Sequence, residues 1–200
     1  LHVSDGLDLI PSRLDNVTLD GYLMLNRINI TTILDNILGN VFSKYDLVFF
    51  DCPPTLGSTV SAAIMASDTI LCPLNPDPYS YDGIEIMNKE FSTIEQQFRR
   101  NIQWKIILNK FESRTILSSN YIKNILQHDV YSSKLLDSVV RTAQEYSNSK
   151  SKGKTIYDSL KNTNCKEDIN ALVTEILELE GIIPTAKSSH ETSDLEEQIG

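Results

Sequence analysis

Apolar runs bounded by polar turns recur along the chain at Leu7 to Ile10 (LDLI), Leu47 to Phe50 (LVFF), Thr69 to Leu74 (TILCPL), Trp104 to Leu108 (WKIIL) and Leu135 to Val140 (LLDSVV). Several are continuous and not alternating, which is the pattern of strands covered on both faces. Segments with helical spacing lie between them, at Ile28 to Phe42, Thr59 to Ala66, Tyr81 to Phe98 and Ile116 to His128. Strand and helix in alternation predict an α/β fold, a mostly parallel, doubly wound sheet with helices on both faces. A last helix, Glu167 to Leu179, places Ile169, Leu172, Val173, Ile176, Leu177 and Leu179 at helical spacing with acids between them. It is expected to pack on the sheet and turn its glutamates to water. Beyond Pro184 the sequence is polar, acidic and aperiodic. The organisation predicted is one domain over 1–182 and a disordered acidic tail over 183–200.

Composition narrows the classes. At 200 residues and 40% hydrophobic, the chain can bury one sizeable core. A formal net charge of −9 excludes a protein that coats nucleic acid with its whole surface and leaves only a local, salt-sensitive basic patch. Cys52, Cys72 and Cys165 show no CxxC or Cys/His ligand spacing, which fits a reducing, cytoplasmic compartment. No apolar run approaches the roughly 20 residues needed to span a bilayer. His2, His128 and His190 are scattered, so neither a metal cluster nor a nucleophilic triad is assigned. The chain opens on Leu1 and reaches strand-like sequence almost at once, which reads as a piece of something longer.

The chemistry concentrates in YDLVFFDCPPTLG, Tyr45 to Gly57. In open parallel sheets ligands bind at the carboxyl ends of strands, so a carboxylate that ends a buried strand sits at the functional edge. Asp51 is that residue. It either caps a turn or serves as a magnesium- or water-positioning carboxylate of a nucleoside triphosphatase. Pro53 and Pro54 fix φ and remove two backbone donors, while Gly57 permits a tight entry into the next helix. Cys52, beside Asp51, is expected to be packed rather than reactive, because a neighbouring carboxylate raises a thiol pKa.

These residues resemble the Walker B and switch II segment of the ParA/Soj/MinD family of deviant Walker ATPases. SAAIMASDTILCPLNPDPYSYDGI, with Ala66, Asp68, Pro73 and Gly83, resembles the family's next helix, strand and loop. KIILNKFESRT resembles the following strand and its exit, and LDLIPS the strand before the Walker B region. The resemblance implies a P-loop NTPase-like fold, with Asp51 holding Mg²⁺ through water and Asn109 contacting the adenine of ATP. For Asn109 a plain Asx turn stays open beside that role. It further implies an ATP-dependent homodimer that binds DNA non-specifically, hydrolyses ATP under a ParB-like stimulator, partitions a plasmid or chromosome, and resides in the cytoplasm on the nucleoid.

The family's opening strand and glycine-rich, lysine-bearing phosphate loop do not occur among these residues, so the 200 residues alone are expected not to hydrolyse ATP. SKSKGKT, Ser149 to Thr155, ends like a phosphate loop but has Asn148 where the first glycine belongs and follows a polar stretch. The whole stretch SVVRTAQEYSNSKSKGKTIYD better resembles a later strand and loop of the family, through Arg141, Ser147, Gly153, Lys154 and Ile156. There the resemblance makes Arg141, Lys150, Lys152 and Lys154 candidate DNA contacts, with a solvated basic loop as the open alternative. A degenerate, non-enzymatic relative is the alternative of a different class. A MinD-like membrane positioner is disfavoured, since LVTEILELEGII and LEEQIG are acidic.

Overall fold

The computed structural model describes residues 1–13, 16, 18–112 and 116–184, the side chains of 78, 79 and 116–119 excepted. The predicted tail beyond 184 and part of the KIILNKFESRT exit loop lie outside the described residues. Packing divides the chain into two compact units, Leu1–Asp68 and a second beginning at Thr69.

The first unit starts with an antiparallel hairpin of β1 (His2–Ser4) and β2 (Leu7–Asp8). Its turn is Asp5-Gly6, and Gly6 has φ 77°, the left-handed conformation that hairpin turns need from glycine. The expected LDLI strand is thus only two residues long and pairs with its own neighbour instead of joining a parallel sheet. Tyr45 donates a hydrogen bond to Asp8, and His2 Nδ1 lies 3.1 Å from the same carboxylate. These two partners, Tyr45 first, hold the Asp8 carboxyl below its ordinary 3.8.

Three helices follow, α1 (Leu19–Leu25), α2 (Ile33–Phe42) and α3 (Ser58–Ala66). The first was not foreseen in the sequence. The second begins five residues later than the apolar spacing predicts, because Asn29 Oδ1 accepts from the Thr31 amide at 3.0 Å and its hydroxyl at 2.7 Å, a local turn that competes with helix. Helix α3 buries Val60, Ala62, Ala63, Ile64 and Met65, and both α1 and α2 pack on it. The predicted LVFF strand is a correction: 47–50 form no ladder among the described residues, and Val48 and Phe49 are exposed. A strand exists only where a neighbour takes its amides and carbonyls, and apolar continuity by itself supplies none. Phe50 packs edge-on against Phe42, with ring centroids 6.0 Å apart.

The second unit holds the predicted parallel sheet, β3 (Thr69–Leu74), β4 (Gln103–Phe111) and β5 (Leu135–Arg141), in the order β3-β4-β5. Helix α4 (Pro78–Phe98) joins β3 to β4, α5 (Ile116–Leu126) lies between β4 and β5, and α6 (Gln144–Ser151) and α7 (Asn164–Leu179) follow. Strand β4 is buried on both sides. Trp104, Ile106 and Leu108 point one way, where Phe91 and Tyr131 meet Trp104. Ile107 points the other way, into a cluster with Leu136, Val140 and, from α7, Ile169 and Leu172. Helices therefore cover both faces, as the continuous apolar runs require. Pro73 sits within β3, which pairs only with β4 in this sheet, and an edge strand tolerates a missing amide.

The acids of α7 do not all face water as the sequence pattern predicts. Glu175 accepts the Asp137 and Ser138 amides at 2.8 Å each, and Asp168 accepts the Arg141 amide at 3.0 Å. Two carboxylates from one helix thereby accept hydrogen bonds from three backbone amides of β5 and fasten α7 to that strand.

Candidate functional site

The candidate residues fall in both units, and each set is described where it lies. In the first unit, Asp51, Cys52, Pro53 and Pro54 form an exposed, irregular segment that leads through Gly57 into α3. Asp51 has no hydrogen-bond partner among the described residues, so its two oxygens are open to solvent. Cys52 is exposed, not packed as the sequence predicts, because no strand carries the segment into the core. Desolvation and, second, the Asp51 charge still push its thiol up, away from nucleophile character. Gly57 is needed for a reason other than the one the sequence suggests. Its φ of −110° suits any residue, but an added Cβ would stand 2.0 Å from Asp20 Oδ2. Asp20, on α1, reaches over this glycine and accepts from the Thr59 amide at 2.7 Å, capping α3 from outside the helix. Asp20 was missed because nothing in the local sequence marks a cap supplied from 39 residues away.

Among the described residues no group of three or more His, Cys, Asp or Glu side chains could hold a metal ion. A lone exposed carboxylate nevertheless suits Mg²⁺, which keeps several waters and is commonly held by one or two carboxylates together with substrate phosphates.

In the second unit, Asn109 lies at the carboxyl end of β4, half-buried, with Nδ2 donating to Asn75 Oδ1 at 3.3 Å. Leu74, the last residue of β3, pairs with Leu108, so Asn75, the first residue after that strand, lies beside Asn109 of β4. Pro76 disfavours a helical backbone at the residue before it, Asn75, and the Asp77 amide donates to the Asn75 carbonyl at 2.8 Å. Asp77 then caps α4, its side chain accepting from the Ser80 amide at 2.9 Å. On the other strand Lys110 has φ 54°, at a register irregularity between Asn109 and Phe111. Such bulges re-aim a neighbouring side chain and are common beside functional sites. Neither Asn75 nor Lys110 was foreseen; the Asn-Pro pair directly after an apolar strand is the signal that could have found the first.

Arg141 ends β5 and is committed to Asp168. Nε lies 3.0 and 3.1 Å from the two carboxylate oxygens and Nη2 lies 2.5 Å from one of them. That hydrogen bonding, above all, raises the Arg141 pKa. The pair borders a cleft of about 510 Å³ lined also by Thr142, Asn162 and Thr163.

Lys150, Lys152 and Lys154 are exposed at the end of α6 and the turn after it. Of the stretch predicted as strand and loop, SVVR is the end of β5, while the expected loop is helix over Gln144–Ser151, and GKT is its stop. Gly153, at φ 62°, donates to the Lys150 carbonyl, and the Lys152 and Lys154 amides donate to Ser149, each at 3.0 Å. The Thr155 amide and hydroxyl go to Asp158. With these amides engaged, the segment offers no cradle for phosphate, in agreement with the sequence argument.

Comparison with known proteins agrees with this picture. An AAA-domain family model matches residues 2–104, more than half of the chain. The chain belongs to that family, which is ParA/MinD-like. It is 26% identical over 172 residues to the cell division protein PomZ of Myxococcus xanthus, covering 86% of this chain and 53% of PomZ. It is 27% identical over 175 residues to the virulence plasmid ParA family protein pGP5-D of Chlamydia psittaci, covering 86% of this chain and 64% of that one. The chromosome partitioning protein ParA of Myxococcus xanthus is 25% identical over 103 residues, covering 51% of this chain and 36% of ParA. The chain thus spans between about half and two thirds of the length of the first two relatives.

Proposed function

We propose that these residues are the Walker B, base-contact and DNA-contact portion of a ParA-like partition ATPase. The observation that carries the reading is that the family match over 2–104 runs through DCPPTLG, where Asp51 presents an open carboxylate on a proline-stiffened segment. The glycine-rich phosphate loop is not among these 200 residues, so the activity proposed is that of the whole protein.

In that protein Asp51 would accept hydrogen bonds from water on Mg²⁺, and the ion would offset the negative charge of the ATP phosphates. Pro53 and Pro54 keep the segment from collapsing onto the carboxylate. Asn109 would hold the adenine edge. Lys150, Lys152 and Lys154, three exposed ammonium groups within five residues of an otherwise acidic chain, suit phosphate contacts that carry no sequence information. Arg141, held by Asp168, orders the end of β5 and is the weakest of the DNA-contact candidates. The proposal includes a nucleotide-dependent homodimer on the nucleoid, a ParB-like stimulator, and a plasmid or chromosome as cargo. It also includes one domain over 1–182 followed by an acidic tail. No helix among the described residues is long and apolar enough to cross a membrane.

Salt titration of DNA binding by the ATP-bound whole protein tests the DNA assignment. Replacing the three lysines by alanine should weaken binding alike on unrelated sequences and lower the log–log salt slope by roughly two to three, at about 0.9 per phosphate contact. An unchanged slope would remove these lysines from the interface.

A further inference from the structure

Asp51 to Leu56 run exposed between Phe50 and Gly57, and among the described residues none of them makes a hydrogen bond. The place of Asp51 is therefore set by the stiffness of this segment and by how its two ends are held. Pro53 and Pro54 fix two φ angles, and each holds the residue before it out of the helical region. At one end the Phe50 ring meets the ring of Phe42, the last residue of α2, edge-on with centroids 6.0 Å apart. At the other end Gly57 is the N-cap of α3 and has no side chain with which to cap it. Asp20 of α1 supplies the missing group. Its Oδ1 accepts from the Thr59 amide at 2.7 Å, and its Oδ2 fills the space where a Gly57 Cβ would stand. Helices α1 and α2 both pack on α3, so both anchors rest on the same helix.

We infer that Asp20 is a positioning residue for Asp51, a clamp on the far end of the segment that carries it. The inference rests on the proposed role of Asp51 toward water on Mg²⁺ and adds the residue that holds that carboxylate in place. Between Phe50 and Gly57 the soft dihedrals lie at Asp51 and Cys52 on one side of the prolines and at Thr55 and Leu56 on the other. With both ends held, few combinations of these angles close the segment, so the backbone of Asp51 is restricted. With the α3 end loosened, Asp51 turns about its own φ and ψ and its carboxylate is re-aimed. The clamp itself is unambiguous, because a carboxylate accepts at both oxygens and reads the same either way round. It needs both partners: the carboxylate lies against Gly57 only because that residue has no Cβ, and the Thr59 amide is an orphan donor of the helix start. The positive end of the α3 dipole adds to the hold on a negative charge.

The test uses the whole protein, natural and as Asp20→Ala, Asp20→Asn, Gly57→Ala and Asp51→Ala. It reads amide hydrogen exchange over Asp51 to Thr59 without nucleotide, ATP binding with Mg²⁺, and the rate of ATP hydrolysis. Asp20→Ala and Gly57→Ala should each speed exchange of the Thr59 amide by roughly three- to tenfold, the worth of one hydrogen bond. Each should lower kcat by a similar factor while ATP affinity stays within about twofold, because the clamp acts on Asp51 and not on the nucleotide. The double variant should be no worse than the poorer single one, since both changes remove one contact. Asp20→Asn keeps an oxygen for Thr59 and should restore most of the protection and of kcat. Should Asp20→Ala fail to fold, Gly57→Ala, which breaks the same contact at a φ of −110° that alanine accepts, carries the test. Exchange left unchanged by both variants, faster exchange with kcat unchanged, or a kcat that Asp20→Asn does not restore would overturn the inference while the role of Asp51 stands. If Asp51→Ala hydrolyses ATP at the natural rate, or the natural protein does not hydrolyse it, the role of Asp51 falls and the clamp with it.

Discussion

Replacing Asp168 by alanine removes a carboxylate that is only 7% exposed and takes hydrogen from three groups of Arg141, the amide at 3.0 Å, Nε at 3.0 Å and Nη2 at 2.5 Å. The three contacts are not worth the same. The guanidinium is 44% exposed, so water replaces much of what Nε and Nη2 lose, and that part is worth about 1 kcal/mol or less. The part-buried amide at the end of β5 has no such replacement, and leaving it unsatisfied costs about 1 to 2 kcal/mol. The expected loss is thus about 1 to 3 kcal/mol. Trp104 is the chain's single tryptophan, buried in the strand next to β5, so its fluorescence in urea follows this unit. With an m-value of about 1.5 kcal/mol/M, the midpoint should fall by roughly 0.7 to 2 M. Arg141→Ala should cost at least as much, because it strands a buried carboxylate, and the double variant should cost less than the sum of the two. A loss under about 0.5 kcal/mol for Asp168→Ala, or strict additivity in the cycle, would refute the claim that this pair fastens α7 to β5.

Three further outcomes follow from the same structure. Gly57→Ala should destabilise by about 1 kcal/mol by expelling Asp20 from the start of α3, and should cost much less in an Asp20→Ala background; thermal melts of the four variants check both statements. In native protein Cys72, whose thiol is buried and pushed up to about 12, should resist iodoacetamide at neutral pH, whereas the exposed Cys52 should react slowly and still be accelerating above its ordinary 9.0; mass mapping of the modified sites reads this. The Asp8 carboxyl titrates below its ordinary 3.8, so its contribution to the hairpin is complete above that value and vanishes as pH falls through the lowered one. NMR of the Asp8 carboxyl should place its midpoint below 3.8 in natural protein and nearer to it in Tyr45→Phe.

Much of the second unit was legible because its signals are local. Continuous apolar runs at 69–74, 104–108 and 135–140 became the three strands, and the helix expected at Tyr81 to Phe98 begins three residues earlier, at Pro78 behind the Asp77 cap, a start signal that the apolar spacing alone does not carry. What escaped the sequence depends on a partner. LVFF has the composition of a strand without a ladder, and only three-dimensional pairing distinguishes the two. Asp168 and Glu175 read as the polar face of an amphipathic helix, since the amides they take up belong to a strand about thirty residues earlier. Asp20 at Gly57, and Asn75 beside Asn109, are likewise pairs that sequence spacing does not advertise. Asp51 was singled out as a strand-end carboxylate, but 47–50 form no strand among the described residues, whereas Asn109, singled out as a strand-end amide, does lie near the end of β4.

The most direct test of the central claim is calorimetric titration of ATP with Mg²⁺ into the whole protein, with hydrolysis followed in the same samples, for the natural sequence and for Asp51→Ala. The ParA-like account predicts that both bind ATP and that Asp51→Ala loses hydrolysis. Absence of ATP binding by the natural protein, or undiminished hydrolysis by Asp51→Ala, would contradict it.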